Sequence, residues 1–250
     1  MAQETSKPKD DIIVGRNAVS EALRSSRSID RILVAKGAGS GAVVGILARA
    51  KKKGILIKEV DQRKLDYLCG GANHQGIAAF ASVKEYASVD DIFALAEERG
   101  ESPFVVVLDE IEDPHNLGAI IRTAECAGAH GVIIPKRRSA SLSFAVGKAS
   151  AGAVEYVPVA RVTNIATTLE ELKKRGLWVY GADMNGTDFN DCEFGGGVAL
   201  VIGNEGKGLG RLVREKCDEI VSLPMKGKIN SLNASVAAGV LMYAVASKRG

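Results

Sequence analysis

The chain lacks an apolar run long enough to span a bilayer; runs such as Phe104–Leu108 are five residues, against about 20 for a spanning helix. The polar, mixed-charge residues 1–11 have no apolar centre of the kind a signal peptide needs. Cysteine is scarce. Cys69, Cys126, Cys192 and Cys217 lie far apart with no CxxC pair. That spacing speaks against a disulfide framework and a zinc site, and it suits buried free thiols in a reducing cytoplasm. No metal and no membrane partner is expected. Neither standard nucleotide-phosphate loop is present: Lys207 is followed by Gly208 rather than Ser or Thr, and GxGxxG is missing. There is no internal repeat and no low-complexity tract.

What is there is an ordinary globular composition, 46% apolar and 25% charged, over a length that allows one large domain or two modest ones. The net charge of +3 is unevenly spread. Residues 1–82 carry 14 Lys and Arg against 8 Asp and Glu, an excess of +6, whereas the remainder carries 19 against 22, or −3. A basic module beside a near-neutral one points to a polyanionic partner for the first; the alternative is a solvated surface around Lys51-Lys52-Lys53.

The pattern after Ile12 alternates. Helices are expected over 17–25, 42–52 (closed by Gly54) and from a cap at Asp61 to Leu68, with strands over 31–35, 55–60 and 76–82. Residues 83–102 read as a polar linker with a helix at 89–99. Beyond Pro103, strand-like runs at 104–108, 131–134, 154–159, 177–180, 198–202 and 219–223 alternate with helical stretches. Runs apolar on both faces and joined by helices predict a mainly parallel sheet covered on both sides. The expected organisation is an α/β chain with a tail at 1–11, a first module at 12–82, a linker at 83–102 and a second domain at 103–250.

Ligands in such sheets sit beyond the carboxyl ends of the strands, and three junctions there are unusual. After 104–108 comes an acidic loop, then a helix opening near Asn116 and carrying Arg122 six residues on, about 1.7 turns away. Arg122 lies among Ile120, Ile121 and Ala124, where a surface arginine is unexpected. It either snorkels or pairs with a loop carboxylate, or it presents a guanidinium fork to phosphate. After 198–202 comes Gly203-Asn204-Glu205-Gly206-Lys207-Gly208-Leu209-Gly210, whose glycines allow close backbone approach and whose Glu205 suits a cationic ligand or a ribose. After 219–223 comes Pro224-Met225, a basic loop, and an Ala- and Ser-rich helix capped by Ser231 or Asn233. Alone, this last junction reads as ordinary capping.

Together the blocks Asn116-x-Gly118-x-x-x-Arg122-Thr123-Ala124, Gly203-Asn204-Glu205-Gly206-x-Gly208-Leu209 and Leu223-Pro224-Met225 with Ser231-Leu232-Asn233-x-Ser235 resemble the SpoU (TrmH) family of RNA 2′-O-methyltransferases. In the first module, Gly15-Arg16-Asn17-Ala18-Val19 and Asn73-His74-Gln75-Gly76-Ile77 resemble that family's substrate-binding extension, an L30e-like fold shared with a ribosomal RNA-binding protein. The resemblance implies a SPOUT-class fold with a deep C-terminal trefoil knot, a homodimer with the active site at the interface, and S-adenosyl-L-methionine as cofactor. It implies cofactor contacts from Gly203, Leu223, Met225, Ser231 and Leu232, a catalytic set of Arg122, Asn116, Glu205 and Asn233, and RNA contacts from Arg16, Asn73 and His74. His74 by itself reads as a loop-capping histidine. The whole chain is most similar to the branch that methylates a guanosine ribose in 23S ribosomal RNA, with tRNA as the alternative substrate.

A guanidinium holds its proton, so Arg122 is expected to clamp the phosphate beside the target ribose, with a base role assisted by that phosphate as the alternative, and Asn116 and Glu205 are expected to position it or the ribose. The rival readings are a non-catalytic RNA-binding assembly protein and a nucleotide-dependent α/β enzyme. The intact polar residues of the three blocks oppose the first, and the failed phosphate-loop patterns oppose the second.

Overall fold

Strands that are apolar on both faces need cover on both sides, and both halves of the chain supply it with helices. The computed structural model describes residues 11–25, 27–38 and 41–249; the tail expected at 1–11 therefore lies, but for Asp11, outside the described residues. The chain divides into one unit of residues 1–85 with 141–144, and a second of residues 86–140 and 145–250.

In the first unit the elements run β1 (Ile12–Val14), α1 (Arg16–Arg24), β2 (Ile29–Ala35), α2 (Ala42–Lys52), β3 (Leu56–Val60), α3 (Gln62–Leu68) and β4 (Ile77–Ala81). The sheet order is β1-β4-β2-β3, with β2 and β3 parallel and the other pairs antiparallel. Alternation along β2 sorts the two cores. Ile32 and Val34 pack with Val19, Leu23, Val43 and Ile46, while Leu33 and Ala35 pack with Leu65, Cys69 and Phe80 on the other face.

The second unit begins with α4 (Val89–Arg99), β5 (Phe104–Leu108), α5 (Pro114–Cys126), β6 (Gly131–Pro135) and α6 (Phe144–Ala149). A short 3₁₀ turn over Ala153–Glu155 leads to β7 (Val159–Val162), α7 (Ile165–Lys174), β8 (Leu177–Asp188) and β9 (Gly197–Ile202), and the unit ends with α8 (Arg211–Lys216), β10 (Glu219–Ser222) and α9 (Ala234–Lys248). The six strands are all parallel in the order β10-β8-β9-β5-β6-β7. Successive strands step one way from β5 to β7, and the chain then crosses to the other side of β5. The switch point between β5 and β9 is where a ligand crevice opens, and the first two unusual junctions both begin there.

Three expectations need correction. Residues 86–102 are not a linker. Ser88 caps α4 in a reciprocal capping box with Asp91, and Ile92 is buried with Val105 and Ile133 in the second unit's core. The strand expected at 154–159 instead runs over Val159–Val162, because Ala153–Glu155 takes up the 3₁₀ turn. The strand expected at 177–180 continues to Asp188. Among the described residues, no helix is long and apolar enough to cross a membrane.

Candidate active site

β5 ends in the acidic loop, where the Asp113 side chain accepts the His115 N–H (3.0 Å) and Pro114 occupies the first turn of α5. The helix thus opens two residues before Asn116, which lies in its first turn and is only 7% exposed. After β9 the glycine-rich loop closes on itself. Asn204 N–H donates to the Gly208 carbonyl (3.1 Å) and Gly208 N–H to the Asn204 carbonyl (2.8 Å). Asn204 Oδ1 accepts the Gly206 and Lys207 N–H groups at 3.0 and 3.2 Å, and its amide reaches the Glu110 carbonyl at 3.0 Å. The turn is so tight that a Cβ at Gly203 would stand 2.4 Å from the Gly208 carbonyl carbon, and Gly208 itself has φ +67°. The loop is further tied to β5 by Gly210 N–H donating to Asp109 Oδ2 (2.8 Å); burial pushes the Asp109 carboxyl's pKa up.

These anchors bring three side chains from distant parts of the chain to one point. Glu205 Oε1 accepts Asn116 Nδ2 (2.6 Å), Asn233 Nδ2 (2.6 Å) and the Ala234 N–H (3.2 Å). Asn233 Nδ2 also donates to Asn116 Oδ1 (3.1 Å). Asn233 has a second duty, since its Oδ1 caps α9 by accepting from the Ser235 and Val236 N–H groups at 3.0 and 3.4 Å. The cap is therefore Asn233 and not Ser231. Glu205 carries all three bonds on one oxygen, and among the described residues none falls on Oε2.

Beside this cluster lies a cavity of about 650 Å³. Gly203, Glu205, Leu223, Met225, Ser231 and Leu232 all line it, so the five residues expected to hold a cofactor share one wall system. Sequence reading missed a further wall, Ala182–Asn185, from the extension of β8. The rule that ligands sit beyond strand ends would have pointed there had the strand been carried past Tyr180.

Arg122 is not in the wall. It is exposed, and among the described residues it makes no hydrogen bond or ion pair, contrary to the expectation that its apolar neighbours bury or pair it. Ile120, Ile121 and Ala124 are the buried ones because they face the core, and Arg122 falls on the outer side of α5. No hydrogen bond joins Arg122 to Asn116 or Glu205 in the chain.

In the first unit the two quoted blocks do meet. Arg16 N–H donates to Gln75 Oε1 (3.1 Å) and its Nε to the Gln75 carbonyl (3.0 Å), and Asn73 is exposed beside them. His74 is different. At 4% exposure its Nδ1 accepts the Gly76 N–H (3.0 Å) and its Nε2 lies 2.8 Å from Asp66 Oδ1. Its buried ring holds the loop to α3, in keeping with the reading of His74 as a loop-capping histidine.

Two family models match the chain: the SpoU rRNA Methylase family over residues 103–243, and RNA 2′-O ribose methyltransferase substrate binding over residues 12–87. The chain belongs to the SpoU family of RNA methyltransferases. A Bacillus subtilis (strain 168) protein that carries the name putative TrmH family tRNA/rRNA methyltransferase YacO is 52% identical over 240 residues, 96% of each chain. A Staphylococcus aureus (strain MSSA476) protein of the same family name is 48% identical over 242 residues, 96% of this chain and 97% of that one. Among solved structures, the SpoU methyltransferase AviRb from Streptomyces viridochromogenes in complex with AdoMet shares the fold. It has a TM-score of 0.61 at 24% identity, covering 95% of this chain and 90% of its own. The AdoMet-bound rRNA methyltransferase from Sinorhizobium meliloti gives 0.59 at 25%, covering 94% and 85%. The SpoU span contains all three junctions, and the substrate-binding span contains residues 12–82, the bulk of the segment with the +6 excess.

Proposed function

We propose that this SpoU protein transfers a methyl group from S-adenosylmethionine to the ribose 2′-hydroxyl of a guanosine in 23S ribosomal RNA. The observation that carries this reading is the Asn116–Glu205–Asn233 cluster beside the cavity. The cavity suits the cofactor. Its volume is within the roughly 300–1,000 Å³ of small-molecule sites. Leu223, Met225, Leu232 and Leu241 offer apolar surface to a base, and Glu205, which has no ion pair among the described residues, offers charge to a sulfonium. Gly203, Leu223, Met225, Ser231 and Leu232 would hold the molecule, which when bound supplies an electrophilic methyl group.

The chain's own residues do the positioning. Asn116 and Asn233 fix Glu205 through Oε1 and leave Oε2 to accept the hydrogen of the ribose hydroxyl, orienting that oxygen for attack. Arg122, a donor-only cation with no internal partner, clamps the neighbouring phosphate. Arg16 and Asn73 in the basic module contact the RNA in this reading.

The protein works in this reading as a homodimer. On α9, Val236, Val240 and Tyr243 follow an i, i+4, i+7 spacing and are 51%, 41% and 54% exposed, an apolar stripe that a second copy would cover. The same helix packs on α5, which carries Arg122 outward, so Arg122 serves the partner's cavity. The passage from β10 at the sheet edge back to α9, which packs on α5 and β9, is the segment we assign to the family's knot. The test is to map 2′-O-methylation in ribosomal and transfer RNA from cells lacking the protein. Loss at a single 23S guanosine is expected; loss only in tRNA overturns the substrate, and no loss in either overturns the reaction.

A further inference from the structure

Between Gly181 and Thr187 the pairing of β8 with β10 skips: Ile220 sits opposite Gly181 and Val221 opposite Thr187. The five residues between leave the ladder and fold out as a bulge whose first four line the cavity. The bulge is built rather than slack. Gly186 lies so close to β10 that a Cβ there would be 2.4 Å from the Ile220 carbonyl oxygen. Asp183 Oδ1 accepts the Asn185 N–H (3.1 Å), Asp183 Oδ2 pairs with Arg214 Nη1 (2.7 Å), and Arg214 Nη2 donates to the Asn185 carbonyl (3.3 Å). The carboxylate also faces the glycine-rich loop, with Oδ2 3.7 Å from where a Gly208 Cβ would stand.

The cavity wall holds two carboxylates; Glu205 holds its asparagine cluster through Oε1, and in the proposed function its Oε2 goes to the ribose hydroxyl. A carboxylate offers about four acceptor sites; Asp183 accepts one internal hydrogen bond, from the Asn185 N–H, and forms an ion pair with Arg214. We propose that Asp183 binds the ammonium group at the amino-acid end of the cofactor, with Arg214 as a positioning residue that fixes the carboxylate from behind. This rests on the reading that the cavity takes S-adenosylmethionine. An ammonium suits the place better than a ribose hydroxyl, because it brings a full positive charge to the carboxylate as well as N–H donors.

Calorimetry on the full-length protein tests this with three probes: S-adenosylmethionine, S-adenosylhomocysteine and 5′-methylthioadenosine, the last keeping adenine and ribose but lacking the amino-acid end. Asp183→Asn should weaken the first two about tenfold or more, as expected for a lost charge-assisted bond, and leave 5′-methylthioadenosine within about twofold. The double variant Asp183→Asn with Arg214→Gln, which leaves no unpaired cation, should show the same selective loss. Unchanged affinity for S-adenosylhomocysteine, or an equal loss on all three probes in both variants, overturns the assignment. Failure of the unaltered protein to bind S-adenosylmethionine sinks the cavity's proposed function instead.

Discussion

Asn233 shows how one side chain can serve a helix cap and the proposed active site through different atoms. Its Oδ1 caps α9 and its Nδ2 holds Glu205 and Asn116. The two duties separate by substitution. Asn233→Ala loses both, and should cost about 1 kcal/mol of stability, the usual worth of a cap, along with methylation. Asn233→Ser keeps a capping oxygen but cannot reach Glu205, so its denaturation midpoint should stay near that of the unaltered protein while methylation is lost; recovery of activity in the serine variant would refute the second duty. His130 gives a pH-dependent counterpart. The ring is fully buried, with Nδ1 accepting the Phe104 N–H (2.9 Å) and Nε2 3.2 Å from Glu101 Oε2. Burial holds its pKa below the ordinary 6.5, outweighing the opposing pull of Glu101. The unfolded chain therefore takes up a proton first as pH falls, and stability declines below about pH 6.5 until the folded ring also protonates. His130→Gln, which can accept at the same place, should flatten the melting temperature between about pH 7 and 5.5; an undiminished decline would assign it to other groups.

At the scale of elements, α2, α4 and β5 lie where hydrophobic period and punctuation put them, because a capped amphipathic helix or a five-residue apolar run is locally self-evident. β1 is three residues long and carries too little pattern to be read. The extension of β8 was illegible for another reason. Residues 182–188 are mostly polar, and what makes them strand and bulge is the approach of β10, a contact between segments some 35 residues apart in sequence. The glycine block was legible as a close approach but not as what it approaches: Gly203 accommodates Gly208 of its own loop. The members of the Asn116–Glu205–Asn233 cluster could be picked out by motif, but their mutual bonds could not, since they depend on β5 and β9 being neighbours. The exposure of Arg122 was not legible from its apolar flanks, because on a helix neighbours in sequence face different ways. The bulge itself makes a test. Gly186→Ala puts a methyl into the Ile220 backbone and should destabilise the protein by about 1–3 kcal/mol, in the range of overpacking, and weaken cofactor binding. Gly195→Ala, where a Cβ meets nothing within 4 Å and φ is not positive, should be silent in both assays. Equal behaviour of the two variants would show that the bulge does not need its glycine.

At the scale of the molecule, the proposed function divides the chemistry between two faces of the second unit. The cavity and its asparagine–glutamate cluster open beyond the strand ends, while Arg122 stands outside that wall on α5, next to the helix that bears the exposed Val236–Val240–Tyr243 stripe. A chain that needs both in one reaction can bring them together by pairing with a copy of itself, since a two-fold interface gives each partner the same patch. Two consequences follow from that geometry. Val240→Glu puts a charge into the stripe and should convert a dimer into a monomer in sedimentation, with methylation lost although each chain keeps its own cavity. More sharply, Arg122→Ala and Glu205→Gln should each be inactive alone, yet regain activity when co-expressed. In a mixed dimer one site receives its arginine from the Glu205→Gln chain and its glutamate from the Arg122→Ala chain, so one of two sites is whole. With random pairing half the dimers are mixed, and the recovered activity should approach about a quarter of the unaltered protein's under two-fold pairing. If Arg122 instead served the cavity of its own chain, every site in a mixed dimer would carry one defect and no activity would return.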